Sequence, residues 1–250
     1  MKFLGIIPAR YASTRFPGKP LADIGGKLMI QHVYDQVISY LDDLWVATDD
    51  ERILNAVEGF GGKAVMTSDK HRSGTDRCLE ASNKIGGDYE VIVNIQGDEP
   101  FIQGKQIEAI KSCFDQPETK LATLVKPFTM KDGIEALLNT NSPKVVLNLH
   151  GEAMYFSRSV VPFLRGVPQD QWLEKGHYYK HVGIYAYRRE TLAEIAALPQ
   201  SPMELAESLE QLRWLENGFH IQTAITDVEN LAVDTPEDLD KVRAYFKSKS

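Results

Sequence analysis

Three cations follow the first apolar run of the chain at spacings of five and four residues. They are Arg10, Arg15 and Lys19, and small residues and prolines lie between them. In an open α/β sheet, ligands bind beyond the carboxyl ends of the strands, and the first loop is a common phosphate site. Cationic side chains and backbone N–H groups in such a loop converge on phosphate oxygens. The spacing favours a triphosphate site, although a solvated basic loop would carry the same residues.

Two carboxylates follow a later apolar run, Val91–Ile95. Asp98 and Glu99 stand next to Gly97, where a buried strand should reach the ligand edge of the sheet. Mg²⁺ takes one or two carboxylates together with phosphate oxygens and water. The alternative is that one acid is the N-cap of the following helix, and the two roles are compatible.

Asp234 has a similar position, directly after Ala232 and Val233 and before the last predicted helix. Taken alone, it is more simply explained as a cap residue. Because one Mg²⁺ needs few protein ligands, Asp98 and Asp234 together form a candidate metal pair from distant parts of the chain.

Several other motif matches lack the neighbouring residues or elements that their function would require. Gly18-Lys19 is followed by Pro20, and no GxxxxGK[ST] motif is present. Residues 59–64 match GxGxxA by letters but precede a predicted strand, so we expect a turn there. His177 and His181 lack the glutamate and the helix of a zinc protease. No nucleophile elbow with a Ser/His/Asp or Cys/His set is visible, so a covalent intermediate is not indicated.

Apolar runs of strand length alternate with segments of helical period in the first half of the chain. This pattern predicts an α/β protein with a mostly parallel, Rossmann-like sheet. The predicted strands are Phe3–Ile7, Leu44–Ala47, Lys63–Met66, Val91–Ile95 and Leu121–Val125.

A smaller strand-rich excursion is predicted near residues 143–190, with strands at Val145–Leu149, Ala153–Phe156 and Val182–Tyr187. A single helix is then expected over 203–217, with one face formed by Leu205, Leu209, Leu212 and Leu215. A strand at His220–Ile225 follows. Thr235 as N-cap and Pro236 at the first position begin the last helix. Because no linker interrupts the chain, we expect one domain over 1–250.

The charge distribution points to a small anionic ligand. The chain has 28 basic and 35 acidic residues and a formal net charge of −7, which disfavours nucleic acid as a partner. Residues 1–27 are the exception, with five cations and one acid. A basic segment on an acidic protein suits a compact anion better than a polyanion.

Cysteine use and hydropathy indicate the compartment. Cys78 and Cys113 form no CxxC motif and no metal-spaced set with histidine, so we expect reduced, structural thiols. No run reaches the 18 or so apolar residues that span a bilayer. A cytoplasmic protein with no membrane contact is expected.

Seven sequence blocks, in order along nearly the whole chain, resemble the 3-deoxy-manno-octulosonate cytidylyltransferase family. They are Ile7–Arg15, Ser73–Arg77, Gln96–Pro100, Tyr155–Ser159, His181–Arg188, Glu210–Glu216 and Val233–Asp238. Phe16, the Gly25–Leu28 segment and Cys78 depart from the family pattern, but none of these departures touches a charged position. The resemblance implies a nucleotidyltransferase fold and a transferase that activates 3-deoxy-manno-octulosonate (Kdo) with CTP for lipopolysaccharide synthesis.

The resemblance also implies roles for individual residues. Arg10, Arg15 and Lys19 would hold the CTP phosphates, with help from Ser13, and would act in catalysis together with Asp98. The residues near cytosine and ribose would be Arg72, Ser73 and Gln96. Asp98 and Asp234 would hold Mg²⁺. The Kdo site would be lined by Arg158, His181, Tyr185, Glu210 and Gln211.

A homodimer is implied as well, with the strands around 150–190 at its interface. Two alternatives remain open at this stage. The sugar is either Kdo or another acidic sugar, such as a sialic acid or an 8-amino Kdo analogue. A non-catalytic nucleotide-binding module on the same fold is the more remote alternative, because the basic loop and the acids are intact.

Overall fold

The computed structural model describes residues 1–12, 15–228 and 232–249. The strands are β1 (Phe3–Ala9), β2 (Asp23–Ile24), β3 (Lys27–Leu28), β4 (Asp43–Thr48), β5 (Ala64–Met66), β6 (Val91–Asn94), β7 (Leu121–Pro127), β8 (Lys144–Leu147), β9 (Ala153–Ser157), β10 (Tyr179–Arg188) and β11 (Gln222–Ile225). The helices are α1 (Met29–Val37), α2 (Glu51–Gly59), α3 (Gly74–Ile85), α4 (Gly104–Ser112), α5 (Gly133–Leu138), α6 (Trp172–Lys175), α7 (Arg189–Ala196), α8 (Pro202–Glu207), α9 (Gln211–Glu216) and α10 (Pro236–Lys249).

The chain divides into two compact units. The first contains Met1–Glu108, Tyr187–Ala196 and Val228–Ser250, and the second contains Ala109–Ala186 and Ala197–Asp227. The expectation of a single domain over 1–250 stays a prediction.

The first unit is built on parallel strands in the order β6-β1-β4-β5. Leu4 lies opposite Asp43 of β4, and Phe3 lies opposite Val91 of β6. The strand β1 is almost entirely buried, as expected for a central parallel strand with both faces covered. Because these strands are parallel, β1 and β6 carry the residues that follow them to the same edge.

The second unit contains parallel strands β7 and β11 and an antiparallel set formed by β8, β9 and β10. The antiparallel strands are the predicted strand-rich excursion. The prediction of a mostly parallel α/β fold with such an excursion is confirmed.

The single helix predicted over 203–217 is wrong. The structure has two short helices, α8 and α9, separated at Ser208, whose φ of 51° is left-handed. A capping box between Ser201 and Glu204 begins α8. Since the chain turns at Ser208, the four leucines share no face: Leu212 is fully buried, whereas Leu205 is 61% exposed.

The start of α10 follows the sequence prediction. The N–H group of Asp238 donates to Oγ1 of Thr235 at 3.3 Å, and the Asp238 carboxylate accepts from the backbone of Thr235 in return. Pro236 is the first residue of the helix. No helix in the described ranges is long and apolar enough to cross a membrane.

Candidate active site

The loop after β1 is closed by a backbone contact across its base. The N–H of Gly18 donates to the carbonyl oxygen of Tyr11 at 2.9 Å. Gly18 has φ +71°, and a Cβ there would lie 3.1 Å from the Tyr11 ring, so glycine is needed on both grounds. Lys19 follows as the first residue of a short 3-10 helix. The predicted phosphate contact Ser13 lies outside the described residues.

Lys19 meets both predicted metal ligands of the first unit. Its Nζ donates to Oδ2 of Asp98 at 2.7 Å and to the Val233 carbonyl at 2.7 Å, and it lies 3.6 Å from Oδ1 of Asp234. The guanidinium of Arg15 donates to the same Asp234 oxygen at 3.0 Å. Two predicted phosphate ligands and two predicted metal ligands therefore form one charged cluster.

A backbone hydrogen bond holds the two aspartates in this arrangement. The N–H of Val233 donates to the Asp98 carbonyl at 2.9 Å, which joins the segment before α10 to the loop after β6. The alternative cap roles are excluded by position. Helix α4 begins at Gly104, beyond both Asp98 and Glu99, and Thr235 caps α10.

Gly97 allows the loop after β6 to pass close to the end of β1. A Cβ on Gly97 would lie 3.1 Å from the carbonyl oxygen of Pro8 and 3.2 Å from Cγ2 of Ile7. Any larger residue would push the loop away from β1 and move Asp98 with it. The glycine in the Gln96–Pro100 block therefore has a packing reason.

The chemistry of this cluster fits a divalent cation. Two carboxylates and a carbonyl oxygen are hard ligands of the type that Mg²⁺ prefers. A positive group, the Lys19 ammonium, already lies among these three oxygens. Within the described ranges, no group of three His, Cys, Asp or Glu side chains is arranged to hold a metal. Phosphate oxygens and water would complete such a site.

A cavity of about 150 Å³ opens beside the end of β1 in the first unit. Its lining residues are Pro8, Ala9, Arg10, His71, Arg72, Ser73, Gly74 and Arg77. Three of these residues, Arg10, Arg72 and Ser73, were predicted to bind the nucleotide. Gln96 was also predicted to bind it, but Gln96 does not line this cavity. Arg10 forms no ion pair with any described residue. Ser73 is the N-cap of α3, where its hydroxyl accepts from the N–H of Asp76 at 3.2 Å.

Arg77 is a residue of this cavity to which sequence reasoning gave no role. It is only 4% exposed, and its guanidinium donates to Oδ2 of Asp49 at 2.8 Å and to Oγ1 of Thr67 at 2.6 Å. A buried ion pair of this type fixes geometry because removing either partner leaves an uncompensated charge. Its membership in the Ser73–Arg77 block was the only available signal.

In the second unit, Arg158 is held by backbone oxygens. Its guanidinium donates to the carbonyls of Glu207, Thr140 and Ser208, the first at 2.6 Å. Its own N–H donates to the Glu207 carboxylate at 2.9 Å. The predicted contact of Arg158 with a sugar carboxylate would use the N–H groups that remain, and it stays a prediction.

His181 and Tyr185, both on β10, share an aromatic cluster. The His181 ring packs on Phe156 and Tyr185, and Tyr185 packs edge-on against Trp214. The hydroxyl of Thr123 donates to the carbonyl of Ile184 and lies 3.1 Å from Nε2 of His181. Burial lowers the pKa of His181 to about 4, so the imidazole is neutral near pH 7.

The remaining predicted sugar residues lie at the start of α9, with Glu210 directly before the helix and Gln211 as its first residue. Glu210 accepts from the Arg213 guanidinium at 2.6 Å. Gln211 is 4% exposed, and its Nε2 has no hydrogen-bond partner among the described residues. Since a buried unsatisfied amide is costly, the Nε2 of Gln211 is a donor available to a ligand.

Lys144 is a second residue whose structural role was not predicted from the sequence. It is fully buried, and its Nζ donates to the carbonyls of Asn139 and Arg158 at 2.8 and 2.9 Å. Burial, followed by the neighbouring Arg158 charge, lowers the pKa of Lys144. A lysine beside two valines gave no sign that it would be buried.

Comparison with known proteins gives one family. The cytidylyltransferase family model matches residues 4–226. The chain is 64% identical over 251 residues to the 3-deoxy-manno-octulosonate cytidylyltransferase of Bacteroides thetaiotaomicron, covering 100% of both chains. It is 63% identical to that of Phocaeicola vulgatus, over 100% of this chain and 99% of the relative.

A solved structure of similar shape is a CMP:2-keto-3-deoxy-manno-octonic acid synthetase in complex with CTP. It aligns over 100% of both chains with a TM-score of 0.90 and 44% sequence identity. Identity at this level over the full length covers both units and all seven sequence blocks.

Proposed function

The chain belongs to the 3-deoxy-manno-octulosonate cytidylyltransferases, and from that premise we propose that it converts CTP and Kdo to CMP-Kdo and pyrophosphate. One observation carries this proposal. The synthetase that matches 100% of this chain with a TM-score of 0.90 has a name that specifies the sugar and a structure that contains CTP. Lipopolysaccharide synthesis and the cytoplasm are the predicted setting.

The nucleotide is assigned to the first unit. Arg10, Arg72 and Ser73 line the same cavity, and its size suits part of a nucleotide more than a whole one. Arg15 and Lys19 would hold the phosphates together with Ser13, and Gln96 would contact the base or ribose. The cationic loop supplies the charge that a triphosphate needs.

Asp98 and Asp234 are the proposed Mg²⁺ ligands. The two carboxylates and the Lys19 ammonium among them support this assignment. When bound, Mg²⁺ supplies Lewis-acid stabilisation of phosphate charge. Lys19 and Arg15 would then pair with phosphate oxygens in place of the carboxylates.

Kdo is assigned to residues of the second unit: Arg158, His181, Tyr185, Glu210 and Gln211. The buried, unsatisfied amide of Gln211 supports this assignment most directly. The neutral His181 would exchange hydrogen bonds with sugar hydroxyls, and Arg158 would be the partner of the sugar carboxylate.

The proposed reaction is an in-line displacement at the α-phosphorus. The anomeric hydroxyl oxygen of Kdo forms a bond to this phosphorus as the bond to pyrophosphate breaks, and the hydroxyl proton is lost to a base or water. Catalysis of such a transfer rests on positioning and charge stabilisation. Lys19 and Arg15 would stabilise the charge that grows on pyrophosphate.

Pyrophosphate release tests the proposal. The purified protein is assayed with CTP, UTP, ATP or GTP against Kdo, a sialic acid and an 8-amino Kdo analogue, with and without EDTA. We expect rapid release only with CTP and Kdo, and its loss in EDTA. A faster rate with another sugar would overturn the Kdo assignment, and full activity in EDTA would overturn the metal alone.

A further inference from the structure

The nucleotide cavity depends on the loop between β5 and α3, residues 67–73. Three side chains along one face of α3 contact this loop or the strand before it. Arg77 donates to Thr67, and Lys84 donates to the carbonyl of Met66 at 2.8 Å. Glu80 lies between them on the helix and contacts the middle of the loop.

Glu80 makes two contacts with the loop through one oxygen. Its Oε2 accepts from the N–H of Ser68 at 2.9 Å and from Nε2 of His71. Its other oxygen accepts from Nζ of Lys84 at 2.7 Å. Both ends of the 68–71 segment are therefore tied to one carboxylate.

The charge of Glu80 strengthens these contacts. Burial alone would raise the pKa of this carboxyl, but hydrogen bonds from Lys84, Ser68 and His71 outweigh it and lower the pKa to about 2. Glu80 is ionised throughout the physiological range, and hydrogen bonds to an ionised acceptor are about twice as strong as neutral ones.

The contact with His71 connects Glu80 to the nucleotide cavity. His71 lines this cavity and is 19% exposed in its side chain, and the next residues along the chain are Arg72 and Ser73. Ser73 is fixed as the N-cap of α3, and His71 is fixed by Glu80. Arg72 is thus held from both sides.

We propose that Glu80 is a positioning residue for the nucleotide: through Ser68 and His71 it holds the 67–73 loop so that Arg72 and Ser73 meet CTP. The inference rests on the proposed function because it takes the cavity as the nucleotide site. Glu80 does not line this cavity and acts only through the loop.

The test compares CTP affinity among variants of the full chain, measured by calorimetry without sugar. In Glu80→Ala we expect the CTP Kd and KM to rise about tenfold, with kcat and the KM for Kdo within about twofold. Glu80→Gln keeps an oxygen that can accept from Ser68 and His71, and should restore the affinity to within about threefold of wild type. His71→Ala should reproduce the effect even if Glu80→Ala fails to fold.

Two controls separate positioning from general stability. Lys84→Met removes the other partner of Glu80 and the contact with the Met66 carbonyl in β5, but leaves the contacts of Glu80 with Ser68 and His71. Asp132→Ala removes a carboxylate of the second unit with similar exposure, which accepts from the backbone N–H of Thr129 at 2.7 Å. Both controls should bind CTP as the wild type does.

The outcomes also separate this inference from the proposed function. Unchanged CTP affinity in folded Glu80→Ala and His71→Ala, or an equal loss in the two controls, overturns the positioning role. Arg72→Ala and Ser73→Ala serve as references. If both leave CTP binding intact, the nucleotide assignment of this loop falls as well; if they weaken it while Glu80→Ala does not, only the inference falls.

Discussion

Lys19 is the residue at which the two sets of charges in the first unit meet. It contacts Asp98, Asp234 and the carbonyl of Val233, while Arg15 donates to the same oxygen of Asp234 that Lys19 approaches. The predicted anion ligands and the predicted metal ligands neutralise one another. Bound CTP and Mg²⁺ would therefore replace existing ion pairs with new ones, instead of filling a site of unpaired charges.

Removing one charge from either aspartate should stop the chemistry. Asp98→Asn and Asp234→Asn keep the side-chain volume but weaken metal binding, so kcat should fall by about two orders of magnitude or more. A discontinuous assay of pyrophosphate release measures this fall in kcat. Near wild-type turnover in both variants, with the fold verified by circular dichroism, would remove them from the metal site.

The lysine itself should compete with a divalent cation. Without nucleotide, Lys19→Met should bind Mn²⁺ about tenfold more tightly than wild type, because a positive charge within 4 Å of both carboxylates costs a second cation several kcal/mol at most. Mn²⁺ electron paramagnetic resonance gives the affinity. Lys27→Met is the control, since Lys27 pairs with Asp35 instead. Equal or weaker Mn²⁺ binding in Lys19→Met would contradict this.

His181 should make stability depend on pH. Its pKa of about 4 in the folded protein lies below the value of 6.5 expected when it is unfolded. The unfolded chain therefore binds the proton first as the pH falls, and stability is lost between pH 6.5 and 4. Urea unfolding at pH 7 and pH 5 should show a loss of about 2 kcal/mol from this group. In His181→Gln, the difference in the free energy of unfolding between pH 7 and pH 5 should become smaller. An unchanged pH dependence in this variant would contradict the prediction.

At the scale of elements, the approach of the β6 loop to β1 requires Gly97. Gly97→Ala places a Cβ 3.1 Å from a backbone oxygen that has little room to move, and should destabilise the protein by about 1–3 kcal/mol. It should also weaken turnover by displacing Asp98.

Gly59→Ala is the matched control for this substitution. Gly59 is the last residue of α2, and no atom lies within 4 Å of its added Cβ. The change should stabilise the protein by about 0.5–1 kcal/mol through helix propensity. Thermal unfolding compares the two variants, and equal shifts would contradict the packing argument.

The observed strands and helices also show which sequence patterns predicted the structure correctly. The buried strands of the first unit were predictable because a run such as Val91–Ile95 has no other stable environment than a covered sheet. The helix over 203–217 was not, because leucine spacing continues through Ser208 and carries no sign of its left-handed φ. A single residue outside the helical region was enough to expose Leu205.

The same limit applies to the candidate site. The basic loop and the two aspartates could be placed at a strand edge, since a parallel sheet brings such ends together. The contacts of Arg77 with Asp49 and of Lys144 with two carbonyls could not, because they depend on how the side chains pack in the folded protein. The sequence shows which residues are charged, but it does not show which partner each charged side chain contacts.

At the scale of the whole molecule, the predicted homodimer is open to a direct test. Leu149, Met154 and Phe163 in or next to the predicted interface strands are exposed, and Leu149 is fully so. Light scattering should give twice the chain mass of 28.1 kDa. Leu149→Arg should lower it toward the monomer, whereas Leu205→Arg, at another exposed leucine, should not. A monomeric wild type would contradict the prediction.

The carbonyl of Val233 and the Nζ of Lys19 are joined across 214 residues of sequence. During synthesis, the amino-terminal loop and the β6 loop leave the ribosome long before Val233 and Asp234 do. A nascent chain can build most of its buried strands and still lack one half of the acid pair. If Asp98 and Asp234 hold the metal as proposed, competence for the reaction arises only after Asp234 has been translated. A transcript truncated before the Asp234 codon would yield a chain that holds the basic loop without its second carboxylate.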